Sequence, residues 1–446
     1  MTEQTDQDRF PTLSPGGAAM LKRLREHPFA PIFRNESGNR LRAADLLRVQ
    51  EFERIVLADQ SLPSHEPPTW LAEFVANCYR DVPYYRARGA CPETFEQIAP
   101  VSRADLSRDI APFVPDSAPL DRLINFRTSG TTGHPLLLAS HPVVAANYLA
   151  FHKRALRRFG VELSANAGQV GVVLVGFQRK CFTYVSVTPS MGESGLAKIN
   201  LHPNDWRAPG HRAAYLQDLA PEVLTGDPVS FAELLNLPLT LRPRALLSTS
   251  MTLLPGLRSR LQARFQCPVL DLYSMNEAGP IAVFDAAAGG HVALQTRLRI
   301  EILGQDLQPV QPGERGEITV TGGFNFCLPL LRYRTGDYAS LRITGTDLVL
   351  DGLQGRPPVQ FLTSAGEWLN NIELTHALQP LALSRFRVHQ RKDAALELYL
   401  PSDTSASDAN LALGALRGLF GASQTIDQLA LAAEDKIVQY TSDLPA

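Results

Sequence analysis

The chain has 446 residues, 44 % of them hydrophobic and 20 % charged, and its 43 basic and 45 acidic side chains give a formal net charge of -2. Such a composition belongs to a globular protein with room for two or three domains, and the near-neutral charge excludes a bulk electrostatic pull toward nucleic acid or an anionic membrane. The five cysteines (Cys78, Cys91, Cys181, Cys267, Cys327) are scattered and never spaced C-x-x-C, which argues against a disulfide framework or a cysteine zinc site and for a reducing cytoplasm.

Met1 to Phe10 is polar, without a basic lead into an apolar stretch of signal-peptide type, and no run is long enough for membrane insertion as a helix. From Gly16 to about Gln60, Leu21, Leu24, Leu41, Leu46 and Leu47 recur at helical spacing, and Ala43-Ala44-Asp45 suits a helix start. Residues 1–68 are therefore expected to form an N-terminal helical extension ending in the Ser- and Pro-rich turn 61–68. A helix is predicted over 69–80, with Trp70, Leu71, Phe74, Val75 and Cys78 on one side and Val82-Pro83 closing it. Tyr84-Tyr85 beside Arg86 suits core packing better than stacking on a ligand.

Leu123-Ile124-Asn125-Phe126 and Leu136-Leu137-Leu138-Ala139 predict two strands flanking a loop that contains Thr128, Ser129, Gly130, Thr131, Thr132 and Gly133. Glycines let backbone N–H groups approach a ligand, and the hydroxyls add donors, so this loop suits phosphate oxygens. An ordinary polar turn is the alternative, and the absence of a following Gly-Lys-Ser/Thr excludes a Walker loop. The helix expected over 141–159 carries Val144, Tyr148, Phe151, Ala155 and Phe159 on one face. Lys153, Arg154, Arg157 and Arg158 on the other read as a solvated face or a seat for a phosphate-bearing partner.

Gln169 to Phe177 is the near-continuous apolar run of a strand buried on both faces. Strand signals at 221–228, 245–248 and 268–273 then alternate with helix signals at 231–237 and 254–265, which defines a layered α/β domain. Ligands in such sheets bind beyond the carboxyl ends of the strands, where Ser274-Met275-Asn276-Glu277 falls. Short extended runs from 295 to 320 predict an antiparallel β-subdomain, and the Gly and Pro residues of 351–358 mark a boundary before a small α+β tail.

In this order the motifs resemble the adenylate-forming superfamily, which includes acyl-CoA synthetases, peptide-synthetase adenylation domains and beetle-luciferase-like enzymes. Thr128 to Gly133 is similar to its phosphate loop, Tyr273-Ser274-Met275-Asn276-Glu277 to its aromatic-to-Glu motif, and Tyr333-Arg334-Thr335-Gly336-Asp337 to its ribose-binding motif. Gly355-Arg356 resembles the hinge, and Asp435-Lys436-Ile437 the segment of the catalytic lysine. Val82 to Arg86, Ser102 to Leu106 and Glu277 to Pro280 point to the phenylacetate-CoA ligase branch.

The resemblance implies a large N-terminal adenylate-forming domain (69–353) of layered α/β sheets plus a β-subdomain, and a small mobile α+β C-terminal domain (354–446). It implies ATP, Mg2+ and a coenzyme A or phosphopantetheine thiol, a small-molecule carboxylic acid as substrate, and an acyl carrier protein as a partner to consider. Glu277 would ligate Mg2+, Tyr273, Ser274 and Asp337 would contact the nucleotide, and Arg356 the ribose or phosphate. Lys436 would bridge the acid and the α-phosphate, and Phe177, Tyr184 and Asn276 would line a pocket for an aromatic acid. His134 stands where relatives have a lysine, Pro357-Pro358 follows the hinge, and Ser248-Thr249-Ser250 replaces a Gly-x-Glu segment. These departures leave open a binding protein without turnover, or an amine as acceptor.

Overall fold

The computed structural model describes residues 5–58, 66–127, 136–251, 253, 255–354, 359–378, 381, 383, 386–402, 404–431 and 440–444. Strands β1 (Ile124–Arg127) and β2 (Leu137–Ser140) form an antiparallel pair. A 12-stranded sheet follows, from β3 (Val170–Gly176), β4 (Tyr184–Thr188), β5 (Ser194–Asn200), β6 (Val223–Gly226), β7 (Ala245–Ser248), β8 (Val269–Met275), β9 (Gly279–Asp285), β10 (Gly290–Ala293), β11 (Leu298–Leu303), β12 (Arg315–Gly322), β13 (Leu330–Thr344) and β14 (Asp347–Gln354). Its order is β11-β12-β13-β14-β10-β9-β8-β7-β6-β3-β5-β4. From β5 through β3, β6 and β7 to β8 the neighbours run parallel, and from β8 to β11 antiparallel.

The parallel half has helices on both faces, which is why β3 is an almost unbroken apolar run. On one face Val173, Val175, Ala197, Ile199, Leu224 and Leu246 pack with Leu216, Phe231 and Leu261 of the helices His211–Leu219, Pro228–Leu235 and Pro255–Phe265. On the other, Val223, Ala245, Leu247, Leu270 and Leu272 meet Ala150, Phe151 and Ala155 of the helix Pro142–Arg158 and Val56 of the helix Ala43–Ala58. The antiparallel half has its own core, in which Leu71, Val75 and Tyr85 pack with Ile300, Ile318 and Tyr333.

The expected α/β architecture is thus observed, with the β-subdomain continuing the same sheet. Toward the C-terminus come β15 (Gln360–Leu362), β16 (Trp368–Asn370), β17 (Arg387–Gln390), β18 (Leu396–Leu400), β19 (Ile426–Ala430) and β20 (Tyr440–Ser442), with helices Asn371–Leu378 and Ala406–Phe420. The last four strands form a sheet ordered β19-β18-β17-β20. Phe361, Leu374, Val388, Leu398, Leu416 and Phe420 make a cluster contributed by this stretch alone.

Near the N-terminus, Ser14 caps the helix Pro15–Glu26. Phe10, Met20, Leu21 and Leu24 from this region lie in the same core as β3 and β5, and Tyr215 donates to the Leu24 carbonyl at 2.9 Å.

Several local expectations change in three dimensions. Leu41 is buried just before the helix Ala43–Ala58, whereas Leu47 points to solvent at 68 % exposure. The tyrosine pair, by contrast, packs as expected: Tyr85 is fully buried and Tyr84 stacks on Phe113 at 3.8 Å. The basic side of Pro142–Arg158 is neither a bare solvated face nor an open phosphate seat. Lys153 pairs with Glu53 at 2.7 Å, Arg154 donates to the Val56 carbonyl, and Arg158 pairs with both Asp285 and Asp347 at 2.6 Å.

Leu24 is fully buried, so Leu24→Ala is expected to cost about 3 kcal/mol in urea unfolding. Leu47→Ala should stay within about 0.5 kcal/mol. Equal effects would mean that Pro15–Glu26 contributes little to the main core.

Candidate active site

β8 and β9 are antiparallel neighbours paired Met275 to Gly279, so Asn276-Glu277-Ala278 forms the tip of a hairpin. Gly279 has φ +74°, and a Cβ there would lie 2.5 Å from the Phe324 ring. The tight return of the chain therefore needs glycine. It leaves Glu277 buried, at 4 % exposure.

A carboxylate in that position requires partners. Oε1 of Glu277 accepts from the Arg103 guanidinium at 2.5 Å and from the Tyr333 hydroxyl at 3.0 Å. Burial, reinforced by the Glu277 charge, holds the Tyr333 phenol well above its ordinary pKa, so it remains a donor. Oε2 of Glu277 takes no hydrogen bond from the described residues.

Arg103 is delivered by a short β-bridge. Val101 N–H donates to the Arg332 carbonyl at 3.0 Å, and Arg334 N–H donates to the Val101 carbonyl at 2.8 Å, which docks Val101 beside Tyr333. Ser102 then caps the helix Arg103–Arg108 in a capping box with Asp105. Arg103 thus begins a helix fixed directly against β13.

Asp337 is positioned by an irregularity in β13. Glu317 of β12 pairs with Tyr338 and Thr319 with Arg334, so residues 335–337 bulge out of the ladder. The bulge is held by the Thr335 hydroxyl donating to the Ile318 carbonyl (2.9 Å) and by Gly336 N–H donating to Glu317 (3.0 Å), with φ +80° at Gly336. Asp337 Oδ2 accepts from the Tyr273 hydroxyl at 3.0 Å. Burial first, and Asp337 second, keep the Tyr273 phenol far above its ordinary range.

The fold therefore brings together Glu277, Tyr273 and Asp337 from two motifs separated by sixty residues, and Ser274 lies half-buried beside them on β8. Asn276 is exposed at the hairpin tip, and its carbonyl accepts from the Tyr148 hydroxyl at 2.9 Å. Phe177 and Tyr184 do not share a wall. Phe177 packs on the core side of the sheet, 6.0 Å from the His202 ring, while Tyr184 precedes core residue Val185 on β4 and so faces the other way.

Ser248 is fully buried with its hydroxyl unpartnered, and Ser250 has φ +73°. Thr128, Ser129, Gly130, Thr131, Thr132, Gly133 and His134 lie outside the described residues, as do Arg356, Pro357-Pro358 and Lys436. On either side of the first group, Arg127 and Leu137 pair directly across the β1–β2 ladder.

Arg103, Tyr333 and Tyr148 were not assigned roles by the sequence. A capping box at Ser102 could signal that Arg103 opens a helix, but nothing local shows that Glu277, 174 residues on, is its partner. Among the described residues no group of three or more His, Cys, Asp or Glu could hold a metal ion. Glu277 Oε2 is nonetheless a hard oxygen suited to Mg2+, which keeps most of its waters and takes one or two carboxylates.

A family model described as AMP-binding enzyme matches residues 98–326. The match spans half of the chain and includes the β8–β9 hairpin, and the chain belongs to this family, within the adenylate-forming superfamily. Among solved structures it is similar to 2-hydroxyisobutyryl-CoA ligase bound to 2-HIB-AMP and CoA in the thioesterification state. The TM-score is 0.52 at 18 % identity, over 90 % of this chain and 91 % of that one. The same ligase in the postadenylation state with 2-HIB-AMP gives 0.50 at 16 % identity, over 86 % and 94 %. At these identities the likeness is one of fold. No curated protein sequence matches, and no helix among the described residues is long and apolar enough to cross a membrane.

Removing Arg103 leaves the Glu277 charge buried without its cation. Arg103→Met is therefore expected to lower unfolding stability by about 3 kcal/mol. The double variant Arg103→Met/Glu277→Gln should lose less than Arg103→Met alone, and strict additivity in denaturant melts would contradict the pairing.

Proposed function

We propose that the protein activates a carboxylic acid with ATP, forming an acyl-adenylate and pyrophosphate, and then transfers the acyl group to a thiol. The acid oxygen attacks the α-phosphorus as the bond to pyrophosphate breaks. The thiol sulfur next attacks the acyl carbon, and AMP leaves. Such chemistry asks the protein chiefly to orient groups and stabilise developing charge.

The observation that carries this reading is the Glu277 carboxylate, buried and fixed through Oε1 while Oε2 stays open, in a chain of the AMP-binding family. A carboxylate held in this way suits a nucleotide-bound Mg2+, which supplies charge neutralisation at phosphate when bound. Asp337, turned outward by its bulge and oriented by Tyr273, suits the ribose hydroxyls as an acceptor.

Thr128 to Gly133 are assigned to the β/γ-phosphates, Ser274 to the nucleotide, Arg356 to ribose or phosphate and Lys436 to the acid and α-phosphate. These roles rest on the motif resemblance. The acceptor is coenzyme A or the phosphopantetheine thiol of a carrier protein. The 2-hydroxyisobutyryl-CoA ligase of similar fold was crystallised with CoA and an acyl-AMP, which supports coenzyme A. An aromatic or otherwise apolar body for the acid is supported by Tyr148 and Tyr184, both half-buried. His134 in place of a lysine leaves one phosphate contact dependent on imidazole protonation.

Acid-dependent exchange of pyrophosphate into ATP tests the first step. Wild type should exchange with at least one member of a panel of aryl and alkyl acids, and Lys436→Ala should be slower by about 100-fold or more. No exchange with any acid, or equal rates in Lys436→Ala, would overturn the proposal.

A further inference from the structure

The sheet face under the helix Pro142–Arg158 changes character away from the centre. At β6 to β8 it is closed by Val223, Leu247, Leu270 and Leu272. On β5, Ala197 and Ile199 are fully buried on the opposite side. Strand alternation therefore turns Leu196 and Lys198 toward this face, where both are only half-buried.

Lys198 stands in register with Leu174 of β3 and with Tyr184 of β4. Cys181 closes in over Gly176, its Sγ 3.0 Å from where a Cβ would sit. Asp227, the residue after β6, is close enough to Lys198 for each to feel the other's charge, and so is Cys181. Tyr184, Cys181 and Asp227 all keep part of their surface open, yet burial is what chiefly raises the pKa of each. With Lys198 these side chains form one half-buried cluster beside β4 and β5, and the recess among them opens on this face.

Within it Lys198 has no settled partner. No carboxylate oxygen of the described residues lies within 4.0 Å of its ammonium, and it hydrogen-bonds to none of them. The Tyr184 hydroxyl likewise bonds to no described residue. Asp227 Oδ1 accepts from Ser230 N–H at 2.8 Å and from the Ser230 hydroxyl at 3.0 Å as the cap of the helix Pro228–Leu235. Lys198 and Tyr184 stand in register on neighbouring strands with neither polar tip bonded to a described residue, so both keep donors from which an oxyanion can accept.

We infer that this recess is the far end of the acyl pocket and that Lys198, with the Tyr184 hydroxyl, binds a second oxyanion on the acid being activated. The substrate class is then a dicarboxylic acid, or an acid with an equivalent distal oxyanion, with one carboxylate adenylated and the other left intact. The recess lies toward the carboxyl ends of β3 and β6, the end of the parallel sheet at which ligands bind. This inference rests on the adenylation reading for the identity of the ligand and on the Lys198 cluster for its charge.

Pyrophosphate exchange with matched acids tests it: adipate against hexanoate, and 4-carboxyphenylacetate against phenylacetate. Wild type should favour the diacid in kcat/KM by about ten-fold or more in at least one pair. Lys198→Met should bring that ratio to about one or below, and Lys198→Arg should retain a preference for the diacid. A wild-type preference for the monoacids, or a ratio unmoved by Lys198→Met, overturns the subsite while leaving adenylation standing. If no acid supports exchange, calorimetric titration of the same diacids decides. Binding lost in Lys198→Met upholds the subsite although adenylation fails, and no binding to wild type overturns both.

Discussion

A carboxylate at the tip of a hairpin, buried to 4 % exposure, is the constraint around which this site is built. Leaving Glu277 uncompensated would be costly, and its two partners come from distant parts of the chain. Arg103 opens a helix docked through Val101 onto β13, and Tyr333 belongs to β13 itself. Satisfying one charge thus locks the β8–β9 hairpin to the β-subdomain. Because both partners use the same oxygen, the other is kept available, so charge neutralisation and ligand binding are divided between the two oxygens of one side chain.

Asp337 is handled differently. It is half-buried, it accepts from a phenol of β8, and it sits on a backbone bulge that turns the strand locally. A phenol raised far above its ordinary pKa by burial donates without adding charge, so it can fix the direction of the carboxylate without cancelling its negative charge.

The α/β core was legible because period-two and apolar-run signals at 169–177, 245–248 and 268–273 are set by burial on one or both sheet faces, and the strands fall close to those limits. Leu47 misled because a leucine at helical spacing carries no mark of which side the helix will cover. The same limit applies to Lys153 and Arg158, whose acidic partners lie on other elements. In the site, Glu277, Tyr273 and Asp337 were legible as members of ordered motifs. Arg103 was not, because its role depends on a contact across 174 residues. Phe177 and Tyr184 looked alike as aromatic pocket residues, and only strand register separates the core side from the recess side.

If the buried Glu277 is the seat of acid activation, its effect must appear on the intermediate itself. The most direct measurement is mass-spectrometric detection of acyl-AMP after incubating the protein with ATP, Mg2+ and a mixed panel of mono- and dicarboxylic acids. Wild type is expected to yield an acyl-adenylate, and Glu277→Gln, shown to be folded, is expected to yield about a hundredth as much or less. Equal yields from the two proteins, or ATP consumed by wild type without any acyl-AMP, would contradict the assignment.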